Sequence, residues 1–337
     1  SYIGLMAGQL MAGGALFEAL GMNRYLGIVV IAVVVFAYSQ ISGLWGAFAT
    51  SVIQSGVILL GLLAAGVYLV SNGAWGEIQQ AMAAGTVPAT YTSVIGGYAP
   101  AVLIGLVVPV SLQVLTDQMS YQRITCAKSA STSRNAHLLS ALLMVPVCVM
   151  PCIIGMYGRV HFGAEGNNAF FTVVLNVLPP VFAALVVTAV IAAVMSTIDC
   201  VFISFSQVLL NDFYRRRINP DVTDKQLSKM TLGLNVIICV VAIGFAVTAT
   251  SLVGLLSNCY LFLEGACLVP FLGGRWYKGA TKQGAIASSI VGAGIAVLEM
   301  FGIFSLPYSA ITLFIPSLIA FVIVSMMTSG KAEPAAQ

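Results

Sequence analysis

The sequence predicts an all-α, polytopic helical membrane protein with about ten transmembrane helices. Two observations predict it. Of 337 residues, 59% are hydrophobic and only 7% are charged, against roughly 25% charged in a soluble domain. A globular core cannot absorb that much apolar surface without leaving a large part of it in water. In addition, several stretches run about 20 residues without Asp, Glu, Lys or Arg, the length that crosses a hydrocarbon layer. A strand barrel needs apolar and polar residues to alternate over segments of about ten. Runs such as YLGIVVIAVVVFAY (25–38) do not alternate.

The apolar runs place the spans at about 2–20, 25–42, 44–70, 97–116, 137–158, 178–211, 230–249, 251–272, 284–302 and 306–328. The third and sixth are long enough to tilt or to extend beyond the bilayer. The sixth starts at LPP (178–180), where proline in a first helical turn is tolerated. Glycines at 43, 46, 61 and 66 punctuate the second and third spans, and small residues serve helix contacts in membranes. Most polar residues fall in the loops at 71–96, 117–136, 159–177, 212–229 and 273–283.

Charge gives the orientation. If the loop containing YRRRINPDVTDKQLSK (214–229) is cytoplasmic, alternation puts 117–136, 273–283 and the C-terminal tail on the same side. Those segments hold twelve basic residues, and the opposite side keeps two, Arg24 and Arg159. That is a strong positive-inside bias, and it supports the parity of the span count.

Several function classes recede at this stage. YRRR (214–217) is the one basic cluster; it reads as a helix-end anchor at a membrane surface rather than a nucleic-acid contact. Most of the seven cysteines sit in apolar stretches, as small buried fillers do. Their odd number and the absence of C-x-x-C give neither a disulfide nor a metal framework. His137 and His161 are far apart and form no metal pattern. An intramembrane enzyme needs a nucleophile with a base, or a metal group, and no His or Lys accompanies the polar residues of the spans.

AAVMSTIDCVF (192–202) is the exception to the avoidance of polarity. Ala193, Ser196, Thr197 and Cys200 follow i, i+3, i+4, i+7 spacing and share a helical face. Asp199 sits at its edge. A carboxylate at the centre of a membrane helix costs about 2.5–3.5 kcal/mol and is functional by default. Hydroxyl and carboxylate oxygens suit a hard cation, and sodium fits that preference. The competing reading is that Ser196 and Thr197 bond back to the preceding turn. Glu264, in YLFLEGACLVP, is a second mid-span acid that lines a cavity or pairs with a partner. Glu18 and Glu299 lie near predicted outer ends, within reach of headgroup water. Gln9, Ser111, Gln113, Asn258 and Tyr260 are neutral polar residues in spans; each is either helix-to-helix glue or a substrate contact.

Three stretches together resemble the solute:sodium symporter family. YSQISGLWGAFATSVIQ (38–54) is similar to its Gly-Gly-Leu turn followed by Thr-Asp-x-x-Gln. TDQMSYQRITCAKSASTSRNA (116–136) resembles its Asp-Gln-x-x-x-Gln-Arg-x-x-x-Ala-Lys segment. AAVMSTIDCVFISFSQVLLNDFY (192–214) resembles its Ser-Ser/Thr helix, which closes on Asp-x-Tyr. The resemblance spans nearly the whole chain. It implies a five-plus-five inverted repeat, with sites at the bilayer midplane near discontinuous helices. Residues 1–70 are then the remainder of the first repeat, 97–272 the second, 284–328 two C-terminal helices and 329–337 a cytoplasmic tail. Since the chain opens SYIGLMAGQ inside an apolar segment, a partial fold lacking core helices 1 and 2 is expected.

The resemblance also implies residue roles. Ala193 (carbonyl), Ser196 and Thr197 (hydroxyls) fall on the family's common sodium site. Members with a second sodium use the aspartate of Thr-Asp-x-x-Gln together with the residues three and four after the first serine. Here these are Ser51, Asp199 and Cys200, so the carboxylate has moved from one wall of that pocket to the other. Asp199 then either supplies the charge for a second cation or a proton, or bonds a neighbouring helix. The turn also departs from the family, reading Ser42-Gly43. Substrate-cavity candidates are Gln9 on core helix 3, Ser111 and Gln113 on core helix 6, and Asn258, Tyr260 and Glu264 on core helix 10. The expected activity is sodium-coupled import of a small organic solute by alternating access, in a bacterial inner membrane with the C-terminus cytoplasmic and Na+ as coupling ion. Arg123 and Lys128 read as topology anchors. The alternatives are a non-transporting sensor or scaffold on the same fold, and an inactive fragment.

Overall fold

The computed structural model describes residues 1–94, 100, 107, 111–112, 114–163, 168–303 and 312–329, and at 42–45 and 168 the backbone alone. Described residues form eleven α-helices: α1 (Tyr2–Ala19), α2 (Arg24–Ser71), α3 (Ala74–Ala83), α4 (Gln118–Thr125), α5 (Ala130–Phe162), α6 (Asn168–Asn176), α7 (Pro180–Ser206), α8 (Asp224–Thr248), α9 (Leu252–Trp276), α10 (Lys282–Met300) and α11 (Phe314–Thr328). A π-helical turn, Gln207–Ile218, continues α7. Seven segments are long and apolar enough to cross a membrane, two of them on α2. The predicted span at 97–116 and the start of that at 306–328 lie largely outside the described residues.

The elements start and stop for local reasons. Asn23 caps α2 through its side chain, and Thr223 with Gln226 forms a reciprocal capping box on α8. Pro179 and Pro180 open α7. The predicted loops hold three short helices, α3, α4 and α6. All are of ten residues or fewer, too short to stand out as apolar spans.

The longest element, α2, is not straight. The Tyr38 hydroxyl donates to Thr50 Oγ1, twelve residues on. A straight helix would separate those positions by about 18 Å. The chain therefore folds back between them, and the predicted spans at 25–42 and 44–70 are its two limbs. The reversal contains Ser42-Gly43, where the sequence predicted a turn.

Two compact units emerge. One comprises Tyr2–Thr92 and Gln122–Leu252, the other Ser1, Ser93–Tyr121 and Val253–Gln337. They cut across the repeat boundaries read from the sequence. In the first, α2 packs most extensively on α7, with α1 against α2, α7 and α8. Met6, Leu10, Ile28, Val35, Ile198 and Phe202 are among its fully or almost fully buried apolar residues. In the second, α10 and α11 share a polar seam: Ser288 and Ser317 join through their hydroxyls at 2.8 Å, and Thr281 and Thr328 at 2.7 Å. Outside the cores, Ile53, Leu142, Val240 and Ile290 are each more than 60% exposed. Mid-helix apolar residues bared to that extent face lipid rather than water.

Candidate functional site

The middle of α7 carries the predicted oxygen cluster. Ser196 Oγ and Thr197 Oγ1 each donate to the Ala193 carbonyl, both at 3.0 Å. Three oxygens thus converge on one face of one helical turn, as their spacing predicted. Both hydroxyls are half-buried. The arrangement is the back-bonded one named as the competing reading, and it also gathers the donor set a hard cation takes, since a hydroxyl proton can rotate away and free its oxygen.

Asp199 faces a different neighbourhood. It is 1% exposed, and its Oδ1 accepts the hydroxyl proton of Ser39 on α2. Tyr38 is a second hydrogen-bonding neighbour of the same carboxylate, and its hydroxyl also meets Thr50 Oγ1. Oδ2 accepts no hydrogen bond among the described residues. A cavity of about 550 Å³ runs alongside, lined by Ser39, Gln40, Asp199, Ser206, Lys229 and Asn235 among others. Within it Ser206 Oγ donates to Asn235 Oδ1 at 2.9 Å, and Asn235 Nδ2 donates to Gln40 Oε1 at 3.3 Å.

The trio proposed for a second cation is not gathered in this way. Cys200 Sγ accepts from Arg123 Nη2 at 3.1 Å, so a guanidinium engages that sulfur. Ser51 is half-buried one residue beyond Thr50 and does not line the Asp199 cavity. No hydrogen bond joins its hydroxyl to Asp199 or Cys200 among the described residues. Nor is Arg123 only an anchor at the membrane edge. Gln122 Oε1 beside it accepts from Ser204 Oγ at 3.1 Å, so the end of α4 is fastened to α7 twice. Asp117 starts that helix, accepting from the Ser120 backbone N–H and hydroxyl, both at 3.0 Å.

The substrate-cavity candidates divide. Gln9 is half-buried on α1 in the first unit; Ser111, Asn258, Tyr260 and Glu264 belong to the second. Gln113 lies outside the described residues. Glu264 is fully buried, and neither carboxyl oxygen has a hydrogen-bond partner among the described residues. Sequence reasoning missed Ser39, Gln40, Ser206 and Asn235. The signal was present: Ser39 and Gln40 are polar residues inside the second apolar run, and Asn235 is a lone amide in the seventh. The described residues contain no group of three His, Cys, Asp or Glu placed to hold a metal, and all seven cysteines are free thiols.

A model of the family described as "Sodium:solute symporter family" matches residues 2–292. The chain belongs to the sodium:solute symporter family. Its members are sodium-coupled transporters, not enzymes, and sodium is their coupling ion. The sodium/proline symporter of Escherichia coli (strain K12) is 25% identical over 344 residues, covering 98% of this chain and 67% of that protein. That of Staphylococcus aureus is 25% identical over 345 residues, covering 94% and 65%. The chain thus spans about two thirds of the length of these relatives. A solved structure described as a substrate-bound, outward-open Na+-coupled sialic acid symporter aligns with a TM-score of 0.76 at 22% identity, over 100% of this chain and 73% of that one. It confirms the all-helical symporter fold. These relatives are transporters, which favours transport over the scaffold reading.

Proposed function

We propose that this chain is the greater part of a symporter that uses inward sodium movement to import a small organic solute. The observation that carries the reading is the convergence of the Ala193 carbonyl with the Ser196 and Thr197 hydroxyls on α7. A sodium ion would take those three oxygens together, replacing the two internal hydrogen bonds. The membrane potential supplies about 2.3 kcal/mol per charge per 100 mV, and ion and solute each favour the state that binds the other. Alternating access would then proceed by one part of the fold rocking against the other. The first solutes to test are those the relatives are named for, proline and sialic acid.

The test is radiolabelled sodium binding to the purified protein, with Ser196→Ala and Thr197→Ala combined. Loss of bound sodium in the double variant, with the protein still folded by circular dichroism, is the expected result. Undiminished binding would leave the two hydroxyls as ordinary back-bonded helix residues.

The protein's place is a bacterial inner membrane, with the 212–229 loop and the C-terminus in the cytoplasm. The twelve-to-two division of basic residues supports this.

A further inference from the structure

We infer that the connection between α7 and α8 is a binding surface for the headgroup of an anionic phospholipid, held by Arg216 and Arg217. α7 has 27 residues, a rise of about 40 Å, which exceeds the roughly 30 Å of a hydrocarbon layer. The π-helical turn that continues it, Gln207–Ile218, therefore begins where acyl chains meet headgroups. Its composition fits that depth. Leu209, Phe213 and Ile218 are 38%, 55% and 59% exposed. They are four and five residues apart, and a helix closed by i→i+5 bonds brings such positions to one side. Leu210 is buried with Val222 and Leu227, and Tyr214 packs on that cluster, so the connection has a small core of its own. Outward apolar side chains beside arginines make an element of the membrane interface.

The charges of the connection are sorted. Arg215 is taken: its Nη1 donates to Asp224 Oδ1 at 3.2 Å. Arg216 and Arg217 are exposed and make no hydrogen bond or ion pair among the described residues. The other acids of the segment, Asp212 and Asp221, are exposed as well and do not pair with them. Five basic residues against three acids between 207 and 229 leave the surface positive. A phosphodiester that carries a net negative charge complements it, and a guanidinium takes phosphate through two parallel N–H···O bonds. A zwitterionic headgroup brings its own cation, which competes with the arginines. Leu209 and Phe213 favour a lipid over a free phosphate, because only the lipid offers them acyl chains. The same connection closes one end of the cavity beside α7: Gln207, Asn211, Ser228 and Lys229 line it. A lipid held on the outside of the turn braces that wall.

Native mass spectrometry of the purified protein, titrated with phosphatidylglycerol or with phosphatidylcholine, tests this. The unaltered protein should retain phosphatidylglycerol roughly tenfold more tightly or better. Arg216→Gln combined with Arg217→Gln should weaken that binding roughly 10- to 30-fold. Arg215→Gln, whose charge Asp224 already meets, should weaken it less. Circular dichroism checks that each variant keeps its fold. Hydrogen exchange in nanodiscs locates the site: amides of 207–218 should exchange more slowly in phosphatidylglycerol than in phosphatidylcholine. The double variant should abolish that difference, while Arg275→Gln with Lys278→Gln, two basic residues at another connection, should leave it in place. Equal retention of the two lipids, or a double variant that binds phosphatidylglycerol as tightly as before, overturns the proposal. So does displacement of the lipid by an equal concentration of inorganic phosphate, which would make the surface a site for free anions. None of these measurements needs transport or bound sodium.

Discussion

The guanidinium of Arg123 donates to Cys200 Sγ at 3.1 Å, while the adjacent Gln122 accepts from Ser204, one helical turn further along α7. A short helix at the end of a loop is thus pinned to the helix that carries the oxygen cluster. The Gln-Arg pair therefore has a structural task that its sequence position alone does not show.

That pinning predicts a local opening. Replacing Gln122 and Arg123 together by Ala removes two hydrogen bonds, together worth about 1–2 kcal/mol. Backbone amides of 118–125 should exchange with solvent roughly 5- to 30-fold faster, as that free energy implies. Hydrogen exchange read by mass spectrometry is the measurement, and Ser204→Ala alone should give a smaller increase. Unchanged exchange across the segment would mean that α4 is held by something else.

The polar chain Ser206–Asn235–Gln40 joins α7, α8 and α2. Hydrogen bonds between membrane helices average about 0.6 kcal/mol. Asn235→Ala removes two of them and leaves a small void beside an existing cavity, a loss of about 1–2 kcal/mol. A lower midpoint of thermal unfolding in detergent is expected. Combining Asn235→Ala with Ser206→Ala should cost less than the two single changes added, because they share a bond. Strict additivity would show that the pair does not interact.

How much of this was readable beforehand depends on distance along the chain. The apolar runs were legible because a bilayer imposes a length on each crossing. The convergence of Ser196 and Thr197 on Ala193 was legible because helical spacing alone sets it. The fold-back inside α2 was signalled by Ser42-Gly43. The partner of Asp199 was not: Ser39 lies 160 positions away, and pairing the two requires the packing of α2 on α7, which hydropathy does not encode. For the same reason Ser51 and Cys200 looked like companions of Asp199. Sequence pattern cannot show that a guanidinium from another helix reaches Cys200.

Orientation gives a prediction that needs no purified protein. A phosphatase reporter fused after Gly85 should be active outside the cytoplasm. The same reporter fused after Asn219 should be inactive, and a fluorescent protein at the C-terminus should be bright. The expectation rests on Arg215, Arg216, Arg217, Lys225 and Lys229 clustering at one helix–helix connection, while Arg159 stands at the end of α5. The opposite pattern of reporter activity would place the 212–229 loop and the C-terminus outside the cytoplasm.

In the second unit, Gly265 of α9 and Gly292 of α10 set the approach of two helices. A Cβ on Gly265 would lie 2.7 Å from the Gly292 carbonyl oxygen, and one on Gly292 would collide with the Gly265 backbone. Backbone cannot swing aside as a flexible side chain can, so either substitution forces the helices apart. Small residues at membrane helix interfaces allow this close packing, and overpacking typically costs about 1–3 kcal/mol. Gly292→Val should therefore lower the thermal unfolding midpoint and separate α10 from α9, detectable as faster exchange in both helices. Gly294→Ala, two residues on, meets nothing within 4 Å and should leave stability unchanged or slightly raised, since alanine is the better helix former. Equal effects from the two changes would show that the close contact between Gly265 and Gly292 contributes nothing to this unit's packing.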